Sequence, residues 1–232
     1  MGRYEYLILD LLIIIGPLCS SFDRKVRFVQ KWKFGFTAIF LIGMLYIGWD
    51  IWAVSRGHWR FNPDYVMETR IFELPIEEIL FFLVVPFAAL FMWEVLRFYR
   101  KGKDDDINFN PLRYAGLLGG VGLILWIGKG YEYTGLTFLA SGLFFLLDQV
   151  TKTYLTRQVN FWYLQGLIIA TTLVFNGFLT ARPIVLYGES FQLGLRVFTI
   201  PVEDFGFGFS LNALILWLYN WMQSGHKSIQ QG

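Results

Sequence analysis

A chain of 232 residues that is 55% hydrophobic and 16% charged, with a mean hydropathy of +0.47, carries less charge than the roughly 25% of an ordinary water-facing domain. Lipid is therefore the expected solvent for much of its surface. The net charge of +2 gives a nucleic-acid partner no electrostatic support, and a single cysteine, Cys19, excludes an internal disulfide and a cysteine-rich metal site.

The first apolar run, Leu7 to Ile15 after Arg3, has the outline of a signal peptide. Glu5 and Asp10 interrupt it, and no small-x-small cleavage site follows. It reads instead as a membrane span over Tyr4–Phe22. A helix needs about 20 apolar residues to cross the hydrocarbon core. Phe34–Val54, Glu77–Phe98, Phe161–Ala181 and Val202–Met222 meet that length. Arg113–Ile127 and Thr134–Val150 are shorter and separated by Gly128-Lys129-Gly130. The expected fold is an all-α integral membrane protein of about seven transmembrane helices.

Charge orients these spans. With the N-terminus outside, the inner loops and C-terminus hold Arg24, Lys25, Arg27, Lys31, Lys33, Arg97, Arg100, Lys101, Lys103, Arg113, Lys152, Arg157 and Lys227. That is most of the 20 Lys and Arg, so the positive-inside rule predicts N-terminus out and C-terminus in, in the cell membrane. The acidic run Asp104–Asp106 reads as a solvated linker.

A shift of about 126 residues superposes Arg70-Ile71-Phe72-Glu73-Leu74-Pro75-Ile76-Glu77-Glu78 on Arg196-Val197-Phe198-Thr199-Ile200-Pro201-Val202-Glu203-Asp204. The same shift places Asp50 on Asn176 and Arg56 on Arg182. Such register marks an internal repeat. Two three-span halves fused directly would be mutually inverted; a linking fourth span makes them parallel repeats about an axis along the membrane normal. The expected boundaries are 1–100 for the first repeat, 101–130 for the linker with its span, and 131–225 for the second repeat.

A charged group near the bilayer centre costs roughly 2.5–3.5 kcal/mol on insertion scales, so those present tend to be functional. Pro75 and Pro201 suit a first helical turn, which places Glu77-Glu78 and Glu203-Asp204 in that turn. Acids there also complement the helix dipole for about 0.3–1 kcal/mol, an alternative that duplication of the motif weakens. Adjacent helical residues point about 100° apart, so one acid of each pair can face the bundle. Which one remains open. A buried member kept protonated would serve as a general acid.

Asp10, Asp50 and Asn176 lie at similar depth, and Arg56, Arg70, Arg182 and Arg196 sit in the outer loops as ion-pair or capping residues. Glu94 is sixteen residues beyond Glu78, about 24 Å along a helix, and reads as an ion pair with Arg97. His58 and His226 are isolated, so no metal site is expected. Gly116-Leu117-Leu118-Gly119-Gly120-Val121-Gly122 lacks the preceding strand of a nucleotide loop and reads as close helix packing through Gly116 and Gly120. No flavin or nicotinamide motif is present, so no cofactor is expected. Trp32, Trp49, Trp52 and Trp59 fit an interfacial belt. Phe81, Phe82, Phe205, Phe207 and Phe209 follow the acids closely enough to offer aromatic faces to a cation.

Leu74-Pro75-Ile76-Glu77-Glu78-Ile79-Leu80-Phe81-Phe82 and Ile200-Pro201-Val202-Glu203-Asp204-Phe205 resemble the Pro-x-Glu-(Glu/Asp) motifs of the membrane-integral lycopene cyclases. That family occurs as small heterodimers in some bacteria and as fused two-domain chains elsewhere. Gly16-Pro17-Leu18, Ser21-Phe22 and Trp49-Asp50 are similar to it as well, so the resemblance spans the chain in its fused form. Tyr187-Gly188-Glu189 departs from an expected Asn-containing loop, and Gly206 and Gly208 are expected to loosen the helix after the second motif. The resemblance implies one active site formed by both halves, without flavin. Lycopene or a similar linear carotene would enter from the bilayer lipid. Glu77, Glu78, Glu203 and Asp204 would supply the acid and base of cyclisation to β-carotene. Phe81, Phe82, Phe205, Phe207, Asp10, Asp50 and Asn176 would contact the substrate. Formation of ε- or γ-rings, or action on an elongated carotenoid, is the related alternative. A transporter or lipid-binding protein is the alternative of another class.

Overall fold

The computed structural model describes residues 2–101 and 106–230, the last four by backbone alone. Lys103, Asp104 and Asp105 of the expected linker, and the Lys227 side chain, lie outside this description. Seven α-helices are present among the described residues: α1 Glu5–Ser20, α2 Trp32–Arg56, α3 Ile76–Tyr99, α4 Pro111–Leu123, α5 Glu132–Val150, α6 Val159–Ala181 and α7 Val202–Gln230. A π-helical turn, Ile124–Gly128, prolongs α4. Five stretches are long and apolar enough to cross a membrane: Phe28–Arg56, Ile76–Tyr99, Pro111–Gly128, Glu132–Val150 and Val159–Ala181. Of the seven expected spans, α1 has only 16 residues, and the first two turns of α7 carry Glu203, Asp204 and two glycines. Apolar side chains lie open on the outside of the bundle, among them Leu12, Phe40 and Val174, as lipid-facing positions do.

Helix α1 packs on α3, and α5 on α7; α2 also packs on α7, and α3 on α6. The termini of these helices place the N-terminal ends of α1, α3, α5 and α7 at one end of the bundle with the C-terminal ends of α2 and α6. Short strands join the halves there, which an all-α reading did not anticipate. Strand β1 (Trp59–Phe61) pairs antiparallel with β4 (Val185–Tyr187), in register Trp59 with Tyr187, Arg60 with Leu186 and Phe61 with Val185. Strands β2 (Arg70–Ile71) and β3 (Leu74–Pro75) form one hairpin, and β5 (Arg196–Val197) and β6 (Ile200–Pro201) another. In each hairpin the proline closes the pairing, opposite Arg70 or Arg196. Pro75 is therefore the cap residue of α3, with φ −64° and ψ 152°, and the helix begins at Ile76, one residue later than a first-turn proline requires.

Two reciprocal ion pairs tie the halves at the same end. Arg182 makes a two-pronged contact with Glu5, at 2.9 and 2.6 Å. Arg56 contacts Glu132 at 3.3 and 2.6 Å. His58 is buried beside the second pair, its Nε2 2.9 Å from Glu132 and its ring stacked on Phe191 at 4.4 Å. At the opposite end Glu94 accepts from Arg97 at 3.4 Å, from the Tyr219 hydroxyl at 2.8 Å, and from Lys31.

Glycine positions depart from the sequence expectation. Gly116 and Gly120 have open space around them, so α4 does not pack through them. The close approach is Gly122 to Gly135. A Cβ on Gly135 would lie 2.5 Å from Trp126 Cβ and 2.8 Å from the Gly122 carbonyl oxygen, so α5 meets both the end of α4 and the π-helical turn that follows it. Likewise Gly206 does not loosen α7, which runs unbroken through it. A Cβ there would meet Thr137 at 2.4 Å, so the glycine brings α5 against α7, the contact type that holds helices together without a hydrophobic driving force.

Gly135→Val forces α4 from α5 and is expected to cost about 1–3 kcal/mol, as overpacking does, seen as a lower thermal midpoint in detergent; Gly116→Ala leaves the midpoint unchanged or slightly raised. Burial lowers the basicity of His58 despite the neighbouring Glu132. The unfolded chain therefore takes up this proton first, and stability falls as pH drops below the unfolded imidazole value of about 6.5. A pH series of thermal midpoints from neutral to mildly acidic is expected to slope less in His58→Gln than in the parent.

Candidate active site

Each hairpin aims the two acids that follow it in different directions. The turns hold Phe72 and Glu73 at φ 48° and 69°, and Phe198 at 57°, and each is clamped by an arginine. Arg70 donates to the Glu73 carbonyl at 2.9 Å, and Arg196 to that of Thr199 at 2.8 Å. The first acid of each pair then turns back to the loop. The Met67 amide donates to Glu77 Oε1 at 2.8 Å, and the Leu193 amide to Glu203 Oε1 at 2.8 Å. Glu203 Oε1 also accepts from the Thr134 hydroxyl at 2.6 Å. These carboxylates at a helix N-terminus accept from loop amides and so tie each loop to the helix that follows it.

The second acid of each pair, about 100° further round its helix, faces a cavity of about 150 Å³. The Tyr6 hydroxyl donates to Glu78 Oε2 at 2.7 Å. Asp204 accepts three bonds: Tyr133 Oη to Oδ1 at 2.6 Å, and Asn176 Nδ2 and Tyr187 Oη to Oδ2 at 2.5 and 2.6 Å. Burial, reinforced by the neighbouring Asp204, pushes the Tyr187 hydroxyl well above its ordinary range, so it stays a donor. Asp10, on α1 one turn beyond Tyr6, also lines the cavity; it is 2% exposed and neither oxygen has a hydrogen-bond partner. Phe81, Phe207, Trp59 and Tyr133 form an aromatic wall beside the carboxyl groups, with Trp59 packed on Tyr133 at 4.9 Å.

Away from this end the cavity continues as a mostly apolar slot between α3, α6 and α7, reaching Met92, Ile168 and Leu211, with Thr171, Thr172 and Asn212 as its polar lining. Met92 is fourteen residues past Glu78, about 21 Å along α3. The slot thus runs from one end of the bundle into its apolar interior.

Of the residues singled out by sequence, Glu78, Asp204, Asp10, Asn176, Phe81 and Phe207 meet at this cavity. Glu77 and Glu203 sit behind it, engaged with the loops. Asp50 is held by the Trp59 indole at 2.6 Å and sits behind that ring, outside the cavity wall. Phe82 is buried in the helix core, and neither it nor Phe205 lines the cavity. The sequence reading did not single out Tyr6, Tyr133, Tyr187 or Asn212. Tyr6 precedes Asp10 by four residues and so shares its helix face, a signal that was available. Tyr187 comes to Asp204 only through the β1–β4 pairing, which no local pattern reveals.

A family model described as lycopene cyclase matches residues 3–96 and 130–222 of the chain. The unmatched stretch between them holds α4. Comparison with curated proteins and with solved structures returns no match.

Proposed function

The chain belongs to the lycopene cyclase family, as a two-domain fused chain, and we propose that it converts the acyclic ends of lycopene to β-rings by proton-initiated cyclisation, giving β-carotene. The observation that carries this reading is the meeting of Glu78 from the first half and Asp204 from the second in one cavity. Cyclisation requires a proton to be given and another to be removed, and two carboxyl groups in different surroundings suit that division.

The surroundings suggest the roles. Asp204 is surrounded by three donors, which fit the acceptor form of a carboxylate. Glu78 has a single donor, Tyr6, and acts as the acid. Glu78 adds its proton to the terminal double bond of the substrate, leaving a tertiary cation. The neighbouring double bond attacks that cation to form the six-membered ring and moves the positive charge onto a ring carbon. Asp204 removes a proton from the adjacent ring carbon, whose electron pair forms the ring double bond. The proton returns to Glu78 between turnovers, so the product is an isomer of the substrate and no electron is gained or lost. The aromatic wall stabilises the passing cation, and the apolar slot keeps water from quenching it.

The architecture proposed is that of two parallel repeats, α1–α3 and α5–α7, linked by α4, all seven helices being transmembrane. Several contacts support it. The clamps on Glu73 and Thr199 and the amide bonds to Glu77 and Glu203 recur at the repeat offset. The ion pairs Glu5–Arg182 and Glu132–Arg56 exchange partners between the halves. In β1–β4 the pair Arg60–Leu186 sits at the centre, with Trp59–Tyr187 and Phe61–Val185 exchanged about it. An N-terminus outside the cell membrane and a C-terminus inside would put the carboxyl groups near the outer leaflet, with Lys31, Arg97 and Arg100 at the inner end.

Expression in cells that accumulate lycopene, with chromatography of the pigments, tests the reading. The parent is expected to yield β-ring products. Glu78→Gln and Asp204→Asn are each expected to lower conversion by about 100-fold or more, the range of a lost general acid or base. Glu77→Gln and Glu203→Gln keep an oxygen that accepts the loop amide, and are expected to retain conversion within a few-fold. Unchanged lycopene from well-expressed parent protein would overturn the cyclase reading, and ε- or γ-ring products would reassign the final proton loss.

A further inference from the structure

The repeat supplies a counterpart of the cavity, in outline, on the other side of the bundle. Shifting its lining by about 126 residues maps α6 onto α2 and exchanges α3 with α7. At five of the shifted positions, on α2, α3 and α7, the chain carries larger side chains. Thr172 of the cavity wall corresponds to Tyr46, Phe175 to Trp49, Gly208 to Phe82, and Ala88 and Ala89 to Leu214 and Ile215.

These larger groups fill the space between α2, α3 and α7. Tyr46 and Phe82 are 4% and 2% exposed, and Leu214 and Ile215 are likewise buried. Tyr46 packs on Trp49 at 5.3 Å and on Phe207 at 5.1 Å, and Trp49 packs on Phe207 at 5.0 Å. Phe82 stands 6.3 Å from the same Phe207 ring. The Tyr46 hydroxyl is spent on Ser210 at 2.8 Å. On the cavity side the small residues face each other: a Cβ on Gly208 would only touch the Thr172 hydroxyl, at 3.8 Å.

Resting on the cyclase reading, we propose that the chain has one end-group site, between α1, α3, α6 and α7, because Tyr46, Trp49 and Phe82 occupy the place of its twin. Gly208 and Thr172 are then the residues that admit the substrate, and the two ends of one carotene are cyclised in successive visits to the same cavity. The two carboxyl groups are not two half-sites; they serve one bound end.

The test transfers the plug across the repeat and follows pigment in lycopene-accumulating cells. Gly208→Phe and Thr172→Tyr each place in the cavity the side chain that fills its twin. Each is expected to lower cyclised product at least tenfold. Trp49→Phe, which copies Phe175 into the plugged side, is expected to convert within about twofold. Membrane content and the detergent thermal midpoint accompany each variant. If Gly208→Phe lowers the midpoint, Thr172→Tyr with a parental midpoint decides. Half or more of the parental conversion in folded Thr172→Tyr or Gly208→Phe would overturn the single-site proposal, since a second site would then be at work. A tenfold loss in Trp49→Phe with an unchanged midpoint would overturn it as well. Unconverted lycopene with the parent protein would count against the cyclase reading, and is thereby distinguished from failure of this one.

Discussion

A buried carboxyl group that is to be hydrogen-bonded takes its donors from the protein, and for four of the buried acids here, Asp10 not among them, that constraint organises the surroundings. Four acids at the starts of α3 and α7 meet it in two ways. Glu77 and Glu203 take amides from the loops that precede their helices. Glu78 and Asp204 take phenolic hydroxyls from α1, α5 and β4. The first arrangement holds each hairpin against its helix. The second determines which helices surround the cavity. Because Tyr6 is on α1 and Tyr133 on α5, the α1–α3 and α5–α7 pairs each assemble around a carboxyl–phenol contact. An unpaired buried polar group costs roughly 1–3 kcal/mol, so releasing any one of these contacts is opposed by more than packing.

The halves in turn depend on the strand pair. β1 and β4 contribute Trp59, Val185 and Tyr187 to the cavity wall, and their backbone pairing holds the wall at a fixed register. A two-stranded ribbon alone is marginal in water. Here the ion pairs of Arg56 and Arg182 flank it, and Trp59, Phe61, Val185 and Ile184 are buried with Tyr6 and Tyr133 in one cluster. Individually, exposed ion pairs contribute little. Their reciprocal placement fixes orientation of one half on the other more than it adds stability.

Much of this was legible in the sequence, for reasons that also explain what was not. Long apolar runs and the duplicated Pro-x-Glu-acid motif carry their meaning locally, so helices and candidate acids could be read, whereas the hairpins ahead of α3 and α7 were not. The choice between Glu77 and Glu78 could not, because α3 is apolar on nearly every face and offers no amphipathic stripe by which to orient it. The same lack of contrast made Phe81 and Phe82 look alike, although one lines the cavity and the other is core. Strands of two or three residues are too short to show a period of two, so β1 and β4 and the Tyr187 they deliver had no signature. The glycines of α4 misled for a related reason: spacing by four residues marks a helix face, but the face that meets α5 is the neighbouring one, with Ala115, Leu118, Gly119 and Gly122.

A duplicated half makes a symmetric framework, yet acid–base chemistry on one substrate end needs asymmetry. Two identical carboxyl groups in identical surroundings would compete to hold the same proton, and neither would be set apart as donor or acceptor. The chain departs from symmetry in three places around the cavity. Glutamate faces aspartate; one phenol at Glu78 faces three donors at Asp204; and small residues on one side face Tyr46, Trp49 and Phe82 on the other. The first two differences give the carboxyl groups unlike surroundings, one phenol against three donors. In the same proposal the third decides on which side of the pair the substrate lies. In the proposed mechanism they turn two copies of a helix-starting motif into a directional pair, the proton given from one half and taken up by the other.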